Sequence, residues 1–220
     1  MYDAKILSGF DRASWLFFNW SRGLSVVKKS LFAIGFACLM GLSAQIKVPL
    51  FWTPVPITLQ TFFVLLAGVL LGKNFGGISQ IIYIGIGVLG VGWFAGGSIL
   101  GPTGGYLIGF VLAAFFLGYV VDKYVSLRSF YSILLLMLFA NFFLIYLPGL
   151  FQLGFYFYIV KGSFPGLMAL LAMGFFPFVP GAIIKVILAS AAAAMILPKD
   201  VDSPNLSQMV KLKNSQIGKK

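Results

Sequence analysis

The chain has no histidine, one cysteine and five acidic residues among its 220 residues. The absence of histidine excludes a catalytic triad built on that residue and a metal site with histidine ligands. The single cysteine, Cys38, cannot form an internal disulfide, and inside an apolar segment we expect it to pack as a small residue. The acids are Asp3, Asp11, Asp122, Asp200 and Asp202. None of them lies inside an apolar segment, so carboxylate catalysis or an acidic proton relay at membrane depth has no support.

The glycine-rich stretches also lack the pattern of a nucleotide site. GGISQ and GPTGG are not flanked by the strand and helix that a phosphate-binding loop requires. A self-powered pump would need a motor domain, and the sequence carries no motif of one. We therefore expect a binding protein and not an enzyme, with no cofactor and no metal.

Hydrophobic residues, in contrast, are abundant. They form 60% of the chain and charged residues only 10%, whereas a soluble domain carries about 25% charged residues. The mean hydropathy is +1.00, which indicates a polytopic membrane protein surrounded by lipids. The net charge of +11 fits the basic inner face of such a protein better than a nucleic-acid partner, so we expect none of the latter.

The apolar segments predict an all-α integral membrane protein. They run roughly over residues 30–46, 57–71, 78–91, 106–121 and 130–147, and a last one ends at 197 after a break at Pro177 and Pro180. Residues 167–176 are too few to cross a core of ~30 Å at 1.5 Å per residue, so we take them as the start of the sixth helix or a re-entrant piece. The count is therefore six, or seven if that piece crosses alone. The predicted layout is an interfacial segment 1–29, a membrane domain 30–197 and a basic tail 198–220.

The basic residues predict the orientation. Six crossings place both termini on one side of the membrane. With the N-terminus inside, 13 of the 16 Lys and Arg residues lie in inner segments, while Lys47 and Lys161 lie outside and Lys185 lies within a helix. The positive-inside rule therefore predicts cytoplasmic N- and C-termini.

Three connections would then face outward, over residues 46–56, 92–105 and 148–165. They contain most of the prolines, glycines and aromatic residues found between the helices. Irregular backbone near a membrane is tolerated where it lines a cavity or packs on protein. These connections predict a lidded pocket open to the outside, with compact turns as the alternative.

Lys185 has no acidic partner within the apolar segments. A lysine at membrane depth costs about 3 kcal/mol on insertion scales. Its side chain can reach the interface, lose its proton, or meet an anion supplied by a ligand. A small molecule with a carboxylate would supply the missing charge.

The first helix carries small residues at every fourth position: Ala33, Ala37 and Gly41. They share one helix face and allow another backbone to approach closely. That face can serve a partner subunit or packing within this chain.

Four segments resemble the BioY family, the biotin-capturing S components of energy-coupling-factor (ECF) vitamin importers. They are VPITLQ (55–60), GVLGVGWFAGG (87–97), LGPTGGYLIGF (100–110) and FFPFVPGAIIK (175–185). The resemblance implies an S-component-like bundle of six transmembrane helices with a biotin site near the outer face. It also implies coupling to an ECF-T transmembrane subunit and two ABC-type ATPases, with Ala33 and Ala37 facing the ECF-T subunit.

One departure from the family concerns the last helix. The family motif reads PGDxxK, and this chain has Ala182 at the aspartate position, three residues before Lys185. An aspartate there would share a helix face with the lysine and act as its counter-ion. Its loss increases the demand for an anionic ligand, or changes specificity or binding. Three alternatives therefore stay open: the ligand is another carboxylated vitamin, the ligand is a biotin precursor, or the protein is a membrane subunit that binds no ligand.

The resemblance and the motifs together nominate a ligand site. The expected ligand-binding residues are Lys185, Gln60, Trp93, Gly97, Ser98, Tyr106, Tyr146 and Ala182. Gln60 is expected to bond the ureido group or to pack as a helix-entry amide, and Trp93 to stack on the ligand or anchor at the interface. Ser98 can supply a polar contact. The two tyrosines fit the pocket rim and an aromatic belt equally well.

Overall fold

The computed structural model describes residues 23–198 as a helical bundle with a β-hairpin at one end. We call the end that carries the hairpin the hairpin end. The predictions for residues 1–22 and 199–220 lie outside the described residues. The helices are α1 (Val26–Gln45), α2 (Gln60–Ile86), α3 (Gly104–Lys123), α4 (Phe130–Phe139), α5 (Tyr146–Lys161), α6 (Leu167–Gly174) and α7 (Val179–Ile196). The strands are β1 (Lys47–Leu50) and β2 (Thr53–Thr58).

Four shorter helical turns extend or join these helices. The π-helical segment Gly87–Val91 continues α2, and the π-helical segment Ala140–Ile145 joins α4 to α5. The 3₁₀ turns are Val125–Arg128 after α3 and Phe176–Phe178 before α7.

The chain reverses direction inside α2, at Gly72. This glycine has a φ of 78°, in the region that residues with a side chain rarely adopt. Beyond it, the amide of Gln60 lies 2.9 Å from the hydroxyl of Tyr83, although a straight helix would separate the two residues by about 35 Å. Gly118 packs against the reversal, where an added Cβ would lie 2.4 Å from the backbone nitrogen of Lys73. The turn predicted between the second and third apolar segments is therefore present.

Five stretches among the described residues are long and apolar enough to cross a membrane. They are Val26–Gln45, Gln60–Val91, Gly104–Lys123, Phe130–Lys161 and Leu167–Ile196. The second of them contains the reversal at Gly72, and the last is interrupted between α6 and α7. The helical bundle agrees with the predicted fold class, while six crossings and cytoplasmic termini stay predictions.

The predicted outer connection 148–165 is wrong over most of its length. The helix that begins at Phe130 continues through the π-helical segment into α5 and ends at Lys161, where Gly162 closes it with a φ of 71°. Proline inside a helix removes a hydrogen bond and clashes with the carbonyl four residues earlier. Here the wider π turn directly precedes Pro148, so that the chain stays helical past it.

The proline-rich segment after α1 is extended, as predicted, and it forms an antiparallel hairpin. Lys47 pairs with Thr58 and Val48 with Ile57, and the register shifts before Leu50 pairs with Thr53. The hydroxyl of Thr53 donates to the carbonyl of Met173, at 2.7 Å, and so ties the hairpin to the end of α6. The all-α prediction did not include this pairing.

The predicted break before the last helix is also present. The eight-residue helix α6 packs on α5 and on β2, and is far too short to cross the membrane by itself. A 3₁₀ turn with Pro177 then leads into α7, whose first turn contains Pro180. Proline is well accommodated in a first helical turn because the amide it lacks has no partner there.

Candidate ligand-binding site

A cavity lies below the hairpin end, between β2 and the helices α2, α3, α5 and α7. Its empty space, including the open mouth, is about 520 Å³. The lining residues are Val55, Pro56, Thr58, Gln60, Thr61, Ala95, Thr103, Tyr106, Leu107, Phe110, Tyr146, Phe178 and Lys185. Two of the three predicted outer connections thus contribute to its walls, and the predicted pocket is present.

Lys185 is the charged residue that lines the cavity. It is half-buried in the second turn of α7, and its Nζ donates to the carbonyl oxygen of Thr58 at 2.9 Å. An ammonium group has three donors, so this bond leaves hydrogen-bonding capacity for a ligand. Within residues 23–198 the one acid is Asp122, which accepts from the backbone amide of Lys73 beside the Gly72 reversal, at the opposite end of the bundle.

Gln60 begins α2 at the cavity wall and is 3% exposed. Its side-chain carbonyl accepts from the hydroxyl of Thr58 at 3.2 Å, and its amide donates to the hydroxyl of Tyr83 at 2.9 Å. Tyr83 in turn donates to the carbonyl of Trp93 at 3.4 Å. Gln60 therefore fits both roles expected from the sequence. It lines the cavity, where a ligand can reach it, and as an amide at the helix entry it links the hairpin to the glycine-rich loop.

The two predicted tyrosines meet on the other side of the cavity. The rings of Tyr106 and Tyr146 are 5.9 Å apart and nearly perpendicular. The Tyr106 hydroxyl donates to the carbonyl of Gly174 at 2.8 Å, which fixes the end of α6 over the bundle. The Tyr146 ring also packs edge-on against Phe175, at 5.5 Å. Both tyrosines are buried inside the bundle and do not lie in an aromatic belt facing lipid.

The other four predicted ligand-binding residues do not line the cavity. Trp93 packs its ring against Gly41 and donates from Nε1 to the carbonyl of Tyr83 at 3.0 Å, so it fastens the glycine-rich loop to α1 and α2. Gly97 and Ser98 are exposed in that loop, where the Ser98 hydroxyl accepts from the amide of Leu100 at 3.2 Å. Ala182 is fully buried one turn before Lys185.

Three threonines line the cavity that the sequence did not single out: Thr58, Thr61 and Thr103. Threonine is frequent in ordinary strands and turns, so no composition signal marks these positions. Their common feature is that each lies where a strand or loop enters a helix, since α2 begins at Gln60 and α3 at Gly104. Such positions place short polar side chains at the end of a helix, next to a cavity that the helix ends enclose.

The small residues of α1 pack inside this chain. Ala33 and Ala37 have no exposed surface, and a Cβ added to Gly41 would lie 2.1 Å from the Trp93 ring. This is the internal packing that the sequence left open. Their predicted contact with a partner subunit requires a conformation in which this face is uncovered, so it stays a prediction.

Comparison with known proteins gives the family. A model of the BioY family matches residues 16–199. The chain belongs to the BioY family. The resemblance found in the four sequence motifs is thereby confirmed.

Several similar proteins carry the BioY name. A probable biotin transporter BioY of Methanothermobacter thermautotrophicus is 49% identical over 140 residues, which cover 61% of this chain and 89% of that protein. The biotin transporter BioY of Thermotoga maritima is 36% identical over 172 residues, which cover 76% and 94%. A crystal structure at 2.1 Å of the S-component for biotin from an ECF-type ABC transporter matches with a TM-score of 0.67 and 25% identity, covering 78% of this chain and 93% of that chain.

Membership of the BioY family agrees with the fold. The long apolar helices and the match to an S-component structure make this BioY protein a multi-pass protein of the cell membrane. The family and its relatives are transport proteins, so the expectation of a transport protein and not an enzyme is confirmed.

Proposed function

We propose that this BioY protein is the biotin-binding subunit of an importer, which captures biotin at the outer face of the membrane and delivers it inward. The observation that carries the proposal is the half-buried cavity residue Lys185, whose ammonium group has the Thr58 carbonyl as its hydrogen-bond partner. A ligand that brings one carboxylate would complete its hydrogen bonds and neutralise its charge.

The rest of the cavity suits the other parts of biotin. Leu107, Phe110 and Phe178 supply apolar surface for the thiophane ring and the valerate chain. Gln60 and Thr103 supply polar atoms in a wall that is otherwise apolar, as a ureido ring requires. The names of the similar proteins support the same ligand.

The proposal includes a partner module. We propose that the subunit works with an ECF-T transmembrane subunit and ABC-type ATPases, that both termini are cytoplasmic, and that residues 30–197 form the membrane domain. The structural likeness to an S-component supports this arrangement. Biotin uptake measured in cells with and without an ECF module would test it, since uptake at equal rates in both would remove the need for the module.

The ligand itself is tested by equilibrium binding of radiolabelled biotin to the purified protein in detergent, next to Ala182→Asp. Saturable binding by the wild type supports the proposal. Binding that is present in Ala182→Asp but not in the wild type shows that this chain has changed its ligand. The absence of binding in both refutes biotin as the ligand.

A second candidate ligand is another carboxylated vitamin or a biotin precursor. The observation that favours it is Ala182, which offers no polar atom next to Lys185 where the family motif has a carboxylate. Competition of labelled biotin with desthiobiotin and with lipoate separates these cases. A precursor or another vitamin is the better ligand if it displaces the label at a lower concentration than unlabelled biotin does.

A further inference from the structure

Most polar groups of the cavity already have partners within the protein. The Thr58 hydroxyl donates to the side-chain oxygen of Gln60, and the Gln60 amide donates to the hydroxyl of Tyr83. The Tyr106 hydroxyl is directed to the carbonyl of Gly174. These groups hold the walls in place, and a ligand would have to compete with those bonds to use them.

Thr61 is different. It is 8% exposed and lines the cavity, and its hydroxyl is buried without a hydrogen-bond partner among the described residues. A buried hydroxyl without a partner is destabilising, so such groups in folded proteins call for an explanation. A ligand atom in the cavity that accepts from this hydroxyl would provide one.

Thr61 also belongs to the first turn of α2. The first four backbone amides of a helix have no acceptor within the helix, and they carry a partial positive charge. The residue before the helix is Leu59, whose hydrocarbon side chain cannot cap these amides, and its carbonyl accepts from one of them, that of Phe62, at 3.2 Å. Both Gln60 and Thr61 line the cavity, so this helix end borders the space a ligand would occupy.

Lys185 lies against the same helix end. Its Nζ is 2.9 Å from the carbonyl oxygen of Thr58, two residues before α2 begins. A positive side chain from α7 and the positive end of α2 therefore meet at one side of the cavity. Two positive groups close together repel each other unless an anion lies between them.

We propose that the ligand carboxylate binds in a two-part anion site formed by Lys185 and the first turn of α2, with the Thr61 hydroxyl as a specificity-determining donor. The inference rests on the proposed function and states how the carboxylate is recognised. It predicts that part of the preference for an anion belongs to the helix end and persists without the lysine.

The test compares biotin with biotinamide, in which a neutral amide replaces the carboxylate. The measured quantity is the ratio of the two dissociation constants for the wild type, Thr61→Val, Thr61→Ser and Lys185→Met. Thr61→Val keeps the shape and loses the hydroxyl, so we expect it to lower the preference for biotin about 10- to 100-fold, the range for a hydrogen bond to a charged group. Thr61→Ser keeps the hydroxyl and is expected to stay within about threefold of the wild type.

A matched control is Thr103→Val, which removes a hydroxyl from the same cavity at the start of α3 instead of α2. It is expected to change both affinities by the same factor. Lys185→Met is expected to lower the preference for biotin while leaving a measurable part of it. A Thr61→Val protein that loses affinity equally for both ligands, or for neither, overturns the inference. So does a Lys185→Met protein that no longer distinguishes them. A wild type that binds neither ligand instead refutes the proposed function.

Discussion

Replacing Lys185 with methionine removes the positive charge from the cavity and keeps a side chain of similar length. Truncating one partner of a buried, hydrogen-bonded charge pair costs about 2–5 kcal/mol of binding free energy. Lys185 is half-buried, so we take the lower part of that range, about 2–4 kcal/mol. The dissociation constant for biotin is then expected to rise about 30- to 1,000-fold.

The stability of the ligand-free protein should respond differently. Without ligand, the ammonium group has the Thr58 carbonyl as its partner in a largely apolar cavity, so it contributes a desolvation penalty. Methionine removes that penalty and leaves the carbonyl without its donor, two effects of opposite sign. We expect the free energy of unfolding to change by less than about 1 kcal/mol while biotin binding falls.

Equilibrium binding of radiolabelled biotin and thermal unfolding in the same detergent measure the two quantities. Lys73→Met is the matched control, because Lys73 lies at the opposite end of the bundle, over the ring of Tyr119. It should leave biotin binding unchanged. A Lys185→Met protein that binds biotin within threefold of the wild type would refute the assignment of the carboxylate to this lysine.

Three further predictions concern helix packing and the hydrogen bonds that hold the glycine-rich loop. Gly118→Ala places a Cβ against the backbone at the Gly72 reversal and should lower the melting temperature markedly, whereas Gly35→Ala, in open space on α1, should leave it unchanged or raise it slightly. Gln152→Leu removes the amide that donates to the carbonyls of Ile99 and Gly101, at 2.8 and 2.9 Å, so dissociation of labelled biotin in a chase experiment should be faster; an unchanged rate would show that this loop does not retain the ligand. Ala33→Leu enlarges a side chain that has no exposed surface, so it should lower the melting temperature of the isolated subunit; an unchanged melting temperature with uptake abolished would instead show that this face serves a partner.

The helices could be predicted because their main cause is local. Long apolar stretches in a membrane must be helical to satisfy their backbone groups, and charges and glycines mark where they end. The reversal at Gly72 and the break at Pro177 and Pro180 follow from the same local rules. The continuation of the helix through Pro148 could not be predicted in this way, because no residue pattern marks the π turn that precedes the proline.

The site was predictable only where a residue type is rare in its surroundings. Lys185 stands out because a charge in an apolar helix needs a partner, and Gln60 stands out for a similar reason. Which face of a helix points inward is harder to predict, since a helix that is apolar on all sides has no amphipathic pattern. In the glycine-rich loop no periodic pattern indicates where a side chain points, so Trp93 was expected at the ligand, whereas its ring packs on Gly41. Thr61 carries no signal apart from its position at the start of α2.

The π turn between α4 and α5 also fixes which residues of the long helix face inward. A π turn holds one residue more than the regular helix, and each residue of an α-helix rotates the chain by about 100°. If the six residues Ala140–Ile145 formed a regular α-helix, all of α5 would be rotated by about that angle. Tyr146 would then leave the cavity, and Gln152 would leave the glycine-rich loop that it holds. The π geometry of this turn is thus what brings both Tyr146 and Gln152 to the positions that they occupy.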